Sequence, residues 1–123
     1  MAINILVVDD SAVMRKMIIK TIRLCGLDVN QIYEAENGRE GLLVLDRGEV
    51  DFLFIDINMP VMDGMEMLSR VRQQEATKKL PVLIVSTESN KGRIEEIDRQ
   101  GAGFVHKPFT PENLRKKMLD ITS

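Results

Sequence analysis

The stretch Phe52-Leu53-Phe54-Ile55-Asp56-Ile57-Asn58-Met59-Pro60 constrains this chain more than any other. A short apolar and aromatic run ends abruptly in a carboxylate, and Pro60 soon stops further ladder pairing. Such a run bounded by turn signals reads as a strand buried on both faces, as strands are inside a parallel sheet. Ligands of open parallel sheets sit outside the carboxyl ends of the strands. Asp56, on the last rung, is then either displayed at the mouth of such a crevice or an ordinary turn carboxylate. The rest of the chain decides.

The same construction recurs on either side. Ile3-Asn4-Ile5-Leu6-Val7-Val8 is an apolar, β-branched run that also ends in acid, Asp9-Asp10. Ser11 follows as an N-cap. Met14, Met17, Ile18, Thr21, Ile22 and Cys25 then recur at three- and four-residue spacing, which predicts one buried helical stripe. Arg15, Lys16, Lys20 and Arg23 fall on the wet side, and Gly26 supplies the stop. The methionines and Cys25 read as core filler. Residues 29–35 make a weaker strand, mixed enough to lie at an edge, and Asn37-Gly38 is a turn signal. Leu42, Leu43, Leu45 and Asp46 continue as a short helix before Gly48.

After the strand at 52–55, Met62-Asp63-Gly64 makes a tight turn into a helix whose stripe is Leu68 and Val71 with Met65 or Met67. Residues 80–85 form the cleanest strand, entered at Pro81 and closed by Ser86-Thr87-Glu88. Residues 89–100 read as a poor helix with Gly92 inside it and only Ile94 and Ile97 for an apolar face, so it is predicted to be the most mobile element. Gly101-Ala102-Gly103 leads into the short strand Phe104-Val105-His106, which stops at Lys107-Pro108. Pro111 suits the first turn of a last helix with the stripe Leu114, Met118 and Ile121.

Strand then helix, five times over, predicts an α/β domain with a five-stranded parallel sheet, doubly wound, with helices on both faces. The 123 residues suit one domain. With 17 basic and 19 acidic residues the net charge is −2, which makes no case for nucleic-acid binding. One cysteine excludes an internal disulfide and a cysteine-based zinc site. No apolar run approaches the roughly 18 residues of a membrane span, and the N-terminus lacks a secretory pattern. The expectation is a cytoplasmic monomer with no membrane contact.

Four predicted strand ends carry chemistry: Asp9-Asp10, Asp56, Ser86 and Lys107. Three carboxylates on one rim raise one another's pKa. A hard divalent cation relieves that, and Mg²⁺ prefers few protein carboxylates plus water and a phosphate oxygen. Lys107 suits a phosphoryl group as a mobile positive charge, and Ser86 offers a hydroxyl. A carboxylate can attack phosphorus to give an acyl phosphate. Each piece alone has an ordinary loop or capping role. Their coincidence at consecutive strand ends is what points to a site.

The chain resembles the response-regulator receiver domains of two-component signalling over all 123 residues. Val7-Val8-Asp9-Asp10-Ser11, Asp56-Ile57-Asn58-Met59-Pro60-Val61-Met62-Asp63-Gly64 and Lys107-Pro108-Phe109 match that family's motifs. Ser11-Ala12-Val13-Met14-Arg15 and the length are similar to its chemotaxis-type, stand-alone members, with no attached output domain. The resemblance implies a flavodoxin-like fold and a phosphorylation switch rather than an enzyme. It implies that Asp56 accepts phosphoryl from a phosphohistidine, that Asp9, Asp10, Asp56 and the Asn58 backbone carbonyl hold Mg²⁺, and that Ser86 and Lys107 bind the phosphoryl oxygens. Phe104 occupies the switch-aromatic position, and Asn58 and Glu88 are placed to tune dephosphorylation. The implied partners are a CheA-like histidine kinase, a flagellar motor switch protein or another protein target, and a phosphatase, with dimerisation on activation an option. The alternative within the family is a phosphorelay intermediate or control of a separate non-motility output protein.

One departure is visible. Gly101-Ala102-Gly103-Phe104 makes the connection into the last strand one residue shorter than the family's usual one. His106, the lone histidine, shares a strand face with Phe104 and reads as partner-facing or simply satisfied rather than as a phosphoryl carrier. Two rivals are weaker. An aspartyl-phosphate hydrolase typically needs a second Asp two residues after the nucleophile, where this chain has Asn58. A flavodoxin-like cofactor carrier would need a phosphate-cradling first loop, and Asp9-Asp10-Ser11 would repel phosphate.

Overall fold

A computed structural model describes residues 2–87 and 89–122. Its strands are β1 (Ile3–Val8), β2 (Val29–Ala35), β3 (Phe52–Ile55), β4 (Val82–Ser86) and β5 (Gly103–His106). The helices between and after them are α1 (Ala12–Leu24), α2 (Gly38–Leu45), α3 (Gly64–Gln73), α4 (Lys91–Arg99) and α5 (Pro111–Thr122). All pairings are parallel and the strand order is β2-β1-β3-β4-β5. The doubly wound architecture expected from the alternation is the one found.

Period-two alternation divides the core into two layers. Leu6, Val8, Leu53, Ile55, Val82 and Ile84 face α2, α3 and α4, where they meet Leu45, Met67, Leu68, Val71 and Ile97. Ile5, Val7, Phe52, Phe54, Leu83, Val85 and Val105 face α1 and α5, where Ile18, Ile22, Leu114 and Met118 close over them. Phe52 and Phe54 both lie in this second layer, their ring centroids 5.0 Å apart. Because β3 and β4 are buried on both faces, they read as unbroken apolar runs. β2, at the edge, shows the mixed pattern predicted for it.

The elements differ from the sequence expectations in a few places. Met17 is 54% exposed although it belongs to the predicted stripe of α1. Consecutive helical residues point about 100° apart. With Ile18 and Ile22 aimed into the sheet, Met17 is left on the flank, beside Met14, Thr21 and Phe109. The Asn37-Gly38 turn signal is the start of α2: Asn37 Oδ1 accepts from the Glu40 amide at 2.9 Å, so the helix begins well before Leu42. β4 starts at Val82 rather than at Leu80, because Arg72 Nη1 takes the Leu80 carbonyl at 2.7 Å. α4 is capped by Asn90 and buries a single residue, Ile97.

Val61 has φ of 68° and is 75% exposed, in the loop between β3 and α3. A β-branched side chain in the left-handed region is strained by roughly 1–2 kcal/mol. Asn tolerates that region better, and no packing is lost at so open a position. Val61→Asn is expected to stabilise the fold by about 1 kcal/mol, seen as a later urea-unfolding midpoint; a lower midpoint would mean that the strain is absent.

Candidate functional site

Parallel register brings the strand ends to one rim. Val8 stands opposite Ile55 and Ser86 opposite His106, so the residues that follow β1, β3 and β5 leave the sheet on the same side. The Asp56 amide continues the ladder by donating to the Val8 carbonyl at 3.0 Å, and the Asp9 amide donates to the Ala35 carbonyl at 3.1 Å. Both acids are therefore fixed by backbone as well as by side chain.

At that rim one carboxylate oxygen each from Asp9, Asp10 and Asp56 lies within 4.8 Å of the others. Asp9 is 1% exposed and Asp56 8%, while Asp10 faces solvent. Lys107 Nζ stands 3.4 Å from Asp9 Oδ2 and 3.5 Å from Asp56 Oδ1. These are long contacts from one ammonium shared between two acids. The Lys107 amide donates to the Ser86 carbonyl at 2.9 Å, tying the start of the β5–α5 loop to the end of β4. Ser86 is fully buried at the last position of β4. Among the described residues no buried side-chain polar atom lacks a partner.

Burial is the largest influence on Asp56 and raises its carboxyl pKa above the ordinary Asp value. Lys107 pulls it down, Asp9 pushes it up again, and the Ile57 amide and a hydrogen bond from Lys107 lower it. One ammonium does not offset three acids in a partly dry pocket. A cation that takes oxygen ligands would relieve that imbalance, and the donor set of carboxylates fits a hard divalent ion.

The loop from Asp56 to α3 is built tightly. Asp63 Oδ1 caps α3 through the Glu66 amide at 2.9 Å, and the Gly64 amide donates to the Ile57 carbonyl at 2.8 Å. A Cβ on Gly64 would fall on the Asp56 carbonyl and come within 2.8 Å of Ile57 Cα. The helix start is thus pressed against the backbone of Asp56 itself. Asn58, two residues after Asp56, is exposed in this loop.

Of the residues singled out from sequence, Asp9, Asp10, Asp56 and Lys107 converge on one point. Ser86 lies at the same end of the sheet, at the close of β4. Phe104 lies apart from them: half-buried, opposite Ile84 in the sheet, packed against the α2–α3–α4 layer and 6.2 Å from the exposed His106 ring, edge on. Glu88 lies outside the described residues. Sequence reasoning missed Arg15, assigned to the wet side. Its side chain is 15% exposed; Nη1 donates to the Asp9 carbonyl at 2.6 Å and Nε to Glu34 Oε1 at 2.9 Å. A cation in the first turn of a helix opposes the helix dipole. That local misfit was the available signal.

The family model for the response regulator receiver domain matches residues 5–119. The chemotaxis protein CheY of Pseudomonas aeruginosa is 40% identical over 119 residues, covering 96% of this chain and 94% of that one. Chemotaxis protein CheY-3 of Vibrio cholerae is 37% identical over 116 residues, covering 94% and 88% respectively. The solved structure of Vibrio cholerae CheY4 superposes with a TM-score of 0.86 at 34% identity, over 98% of this chain and 99% of that one.

Proposed function

This chain belongs to the response regulator receiver family, and from that premise we propose that it is a phosphorylation-controlled switch whose acceptor is Asp56. The observation that carries the proposal is the cluster of three carboxylates within 4.8 Å, two of which, Asp9 and Asp56, share the ammonium of Lys107. Receivers of this type are signalling switches rather than conventional enzymes. The chemistry is confined to the domain's own aspartate.

Asp56 Oδ attacks the phosphorus of a phosphohistidine donor. The new O–P bond forms as the P–N bond breaks, and the electron pair returns to the imidazole nitrogen. Asp9, Asp10, Asp56 and the Asn58 backbone carbonyl would hold Mg²⁺, which neutralises charge on the transferring phosphoryl oxygens when bound. Lys107 contributes a second positive charge, moving from its bridge between Asp9 and Asp56 to a phosphoryl oxygen. Because Asp56 and Asp9 are nearly dry, these charges act at short range in a low dielectric. The resemblance gives Asn58 and Glu88 the part of tuning how long the acyl phosphate lasts.

Phosphorylation adds charge and strong acceptors at Asp56. Ser86 is drawn toward them, and Phe104 turns inward into the space released. The surface of α4, β5 and α5 changes with it. Two populations of one fold exchange weight. The chemotaxis names of the relatives support a place in chemotaxis signalling, and the partners proposed with it are a CheA-like kinase as donor, a phosphatase to reset the switch and a flagellar switch protein as target.

The test is incubation with acetyl phosphate and Mg²⁺, read by intact mass. One phosphoryl group per chain is expected, and chelation of the metal should suppress it. Pull-down of the activated protein against a flagellar switch protein and against a histidine phosphotransfer domain then separates motor control from a phosphorelay. Absence of any mass shift would overturn the receiver chemistry.

A further inference from the structure

The acidic turn after β1 is braced by a side chain that takes no part in the phosphoryl pocket. Arg15, in the first turn of α1, has its guanidinium mostly buried and engaged at both ends. Nε donates to Glu34 Oε1 on β2 at 2.9 Å, and Nη1 donates to the Asp9 carbonyl at 2.6 Å. That carbonyl belongs to the peptide joining Asp9 to Asp10. A peptide is planar and turns as a unit, so holding its oxygen fixes both ψ of Asp9 and φ of Asp10. The Ser11 amide meanwhile donates to Asp9 Oδ1 at 2.9 Å, and the Asp9 amide donates to Ala35 at 3.1 Å. The charged donor is the shortest of these contacts, and charge-assisted hydrogen bonds are the strong ones.

We infer that Arg15, anchored by Glu34, is the positioning residue that sets the peptide between Asp9 and Asp10 and so aims their carboxylates for Mg²⁺. The inference rests on the receiver reading of the site. A fork-shaped guanidinium is suited to this task because it spans two acceptors on different elements, and an ammonium does not. Groups that orient metal ligands from behind typically control affinity by about tenfold or more.

Charge alone predicts the opposite. Removing a cation a few ångströms from an acidic pocket should tighten Mg²⁺ binding. The two accounts therefore differ in sign for Arg15→Ala. The experiment is calorimetric titration of Mg²⁺ into wild type, Arg15→Ala and Arg15→Lys, with cooperative urea unfolding in chelator to show that each variant is folded. Weakening of about tenfold is expected for Arg15→Ala, with most of the loss persisting in Arg15→Lys. Hydrogen exchange of the Ser11 amide, measured without metal, should quicken several-fold in Arg15→Ala as Asp9 Oδ1 loses its fixed place. Equal or tighter Mg²⁺ binding by Arg15→Ala overturns the inference, as does full rescue by Arg15→Lys or an unchanged Ser11 amide. Wild type that takes up no Mg²⁺ at all overturns the receiver reading itself, and the Ser11 exchange rate still reports on the brace. Should Arg15→Ala fail to fold, Arg15→Lys carries the same comparison.

Discussion

Gly64→Ala is expected to be among the most damaging single-methyl additions available in this chain, lowering stability by about 3 kcal/mol or more. The methyl group has no flexible neighbour to displace. It meets the Asp56 carbonyl, with Asp56 C at 2.9 Å and Ile57 Cα at 2.8 Å, all of them backbone. Either β3 must retreat from α3 or the α3 start must lift from its cap on Asp63, breaking the Gly64 to Ile57 hydrogen bond. Gly48→Ala is a useful control. Gly48 has φ of 76° with open space around the added methyl, so only the conformational penalty applies there, roughly 1 kcal/mol. Urea-unfolding midpoints should order the proteins wild type, Gly48→Ala, Gly64→Ala. Whatever Gly64→Ala remains folded should also accept phosphoryl from acetyl phosphate poorly, since the displaced backbone is that of the acceptor. A Gly64→Ala midpoint equal to wild type would overturn the claim that this contact limits stability.

Asp56→Asn should separate chemistry from stability in opposite directions. An amide oxygen is not a nucleophile of the required kind, so labelling by acetyl phosphate should drop by ~1000-fold or more, the order seen when a nucleophile is removed. Full stoichiometric labelling of Asp56→Asn would mean that the acceptor is elsewhere. The metal-free fold, however, should gain. Burial holds the Asp56 pKa above its unfolded value of 3.8, so the folded state binds the proton more tightly than the unfolded state does. Stability from this group is complete below the unfolded value and is lost as pH rises through the raised folded value. At neutral pH the ionised carboxylate is therefore a cost, which Asn removes while keeping the shape. A gain of about 1 kcal/mol is expected in chelator at neutral pH, roughly 3–5 °C in Tm. The advantage should shrink as pH falls toward the unfolded value, and Mg²⁺ should erase it by stabilising wild type alone. A variant less stable than wild type at neutral pH would place the ion pair with Lys107 above the burial cost.

Much of this protein was legible in one dimension. Apolar runs of strand length ending in Asp9-Asp10, Asp56 and Ser86 set the sheet, because a strand covered on both faces must be apolar throughout and its polar end must mark the rim. The spacing of Leu114, Met118 and Ile121 set the buried or half-buried side of α5 for the same reason of periodicity. That three acids and one lysine meet followed from topology, since parallel strands all deliver their carboxyl ends to one side. What periodicity could not decide was anything set by contact between distant segments. Met17 obeys the same spacing as its buried neighbours and is exposed, because only the seat of α1 on the sheet says which arc is covered. Arg15 looks like one more solvated cation until β2 brings Glu34 beside it. Gly64 looks like a turn glycine until α3 comes down on the Asp56 backbone. Sequence specifies what each residue can do locally. Distances between elements far apart in the chain exist only once the sheet has closed, and they choose among those capacities.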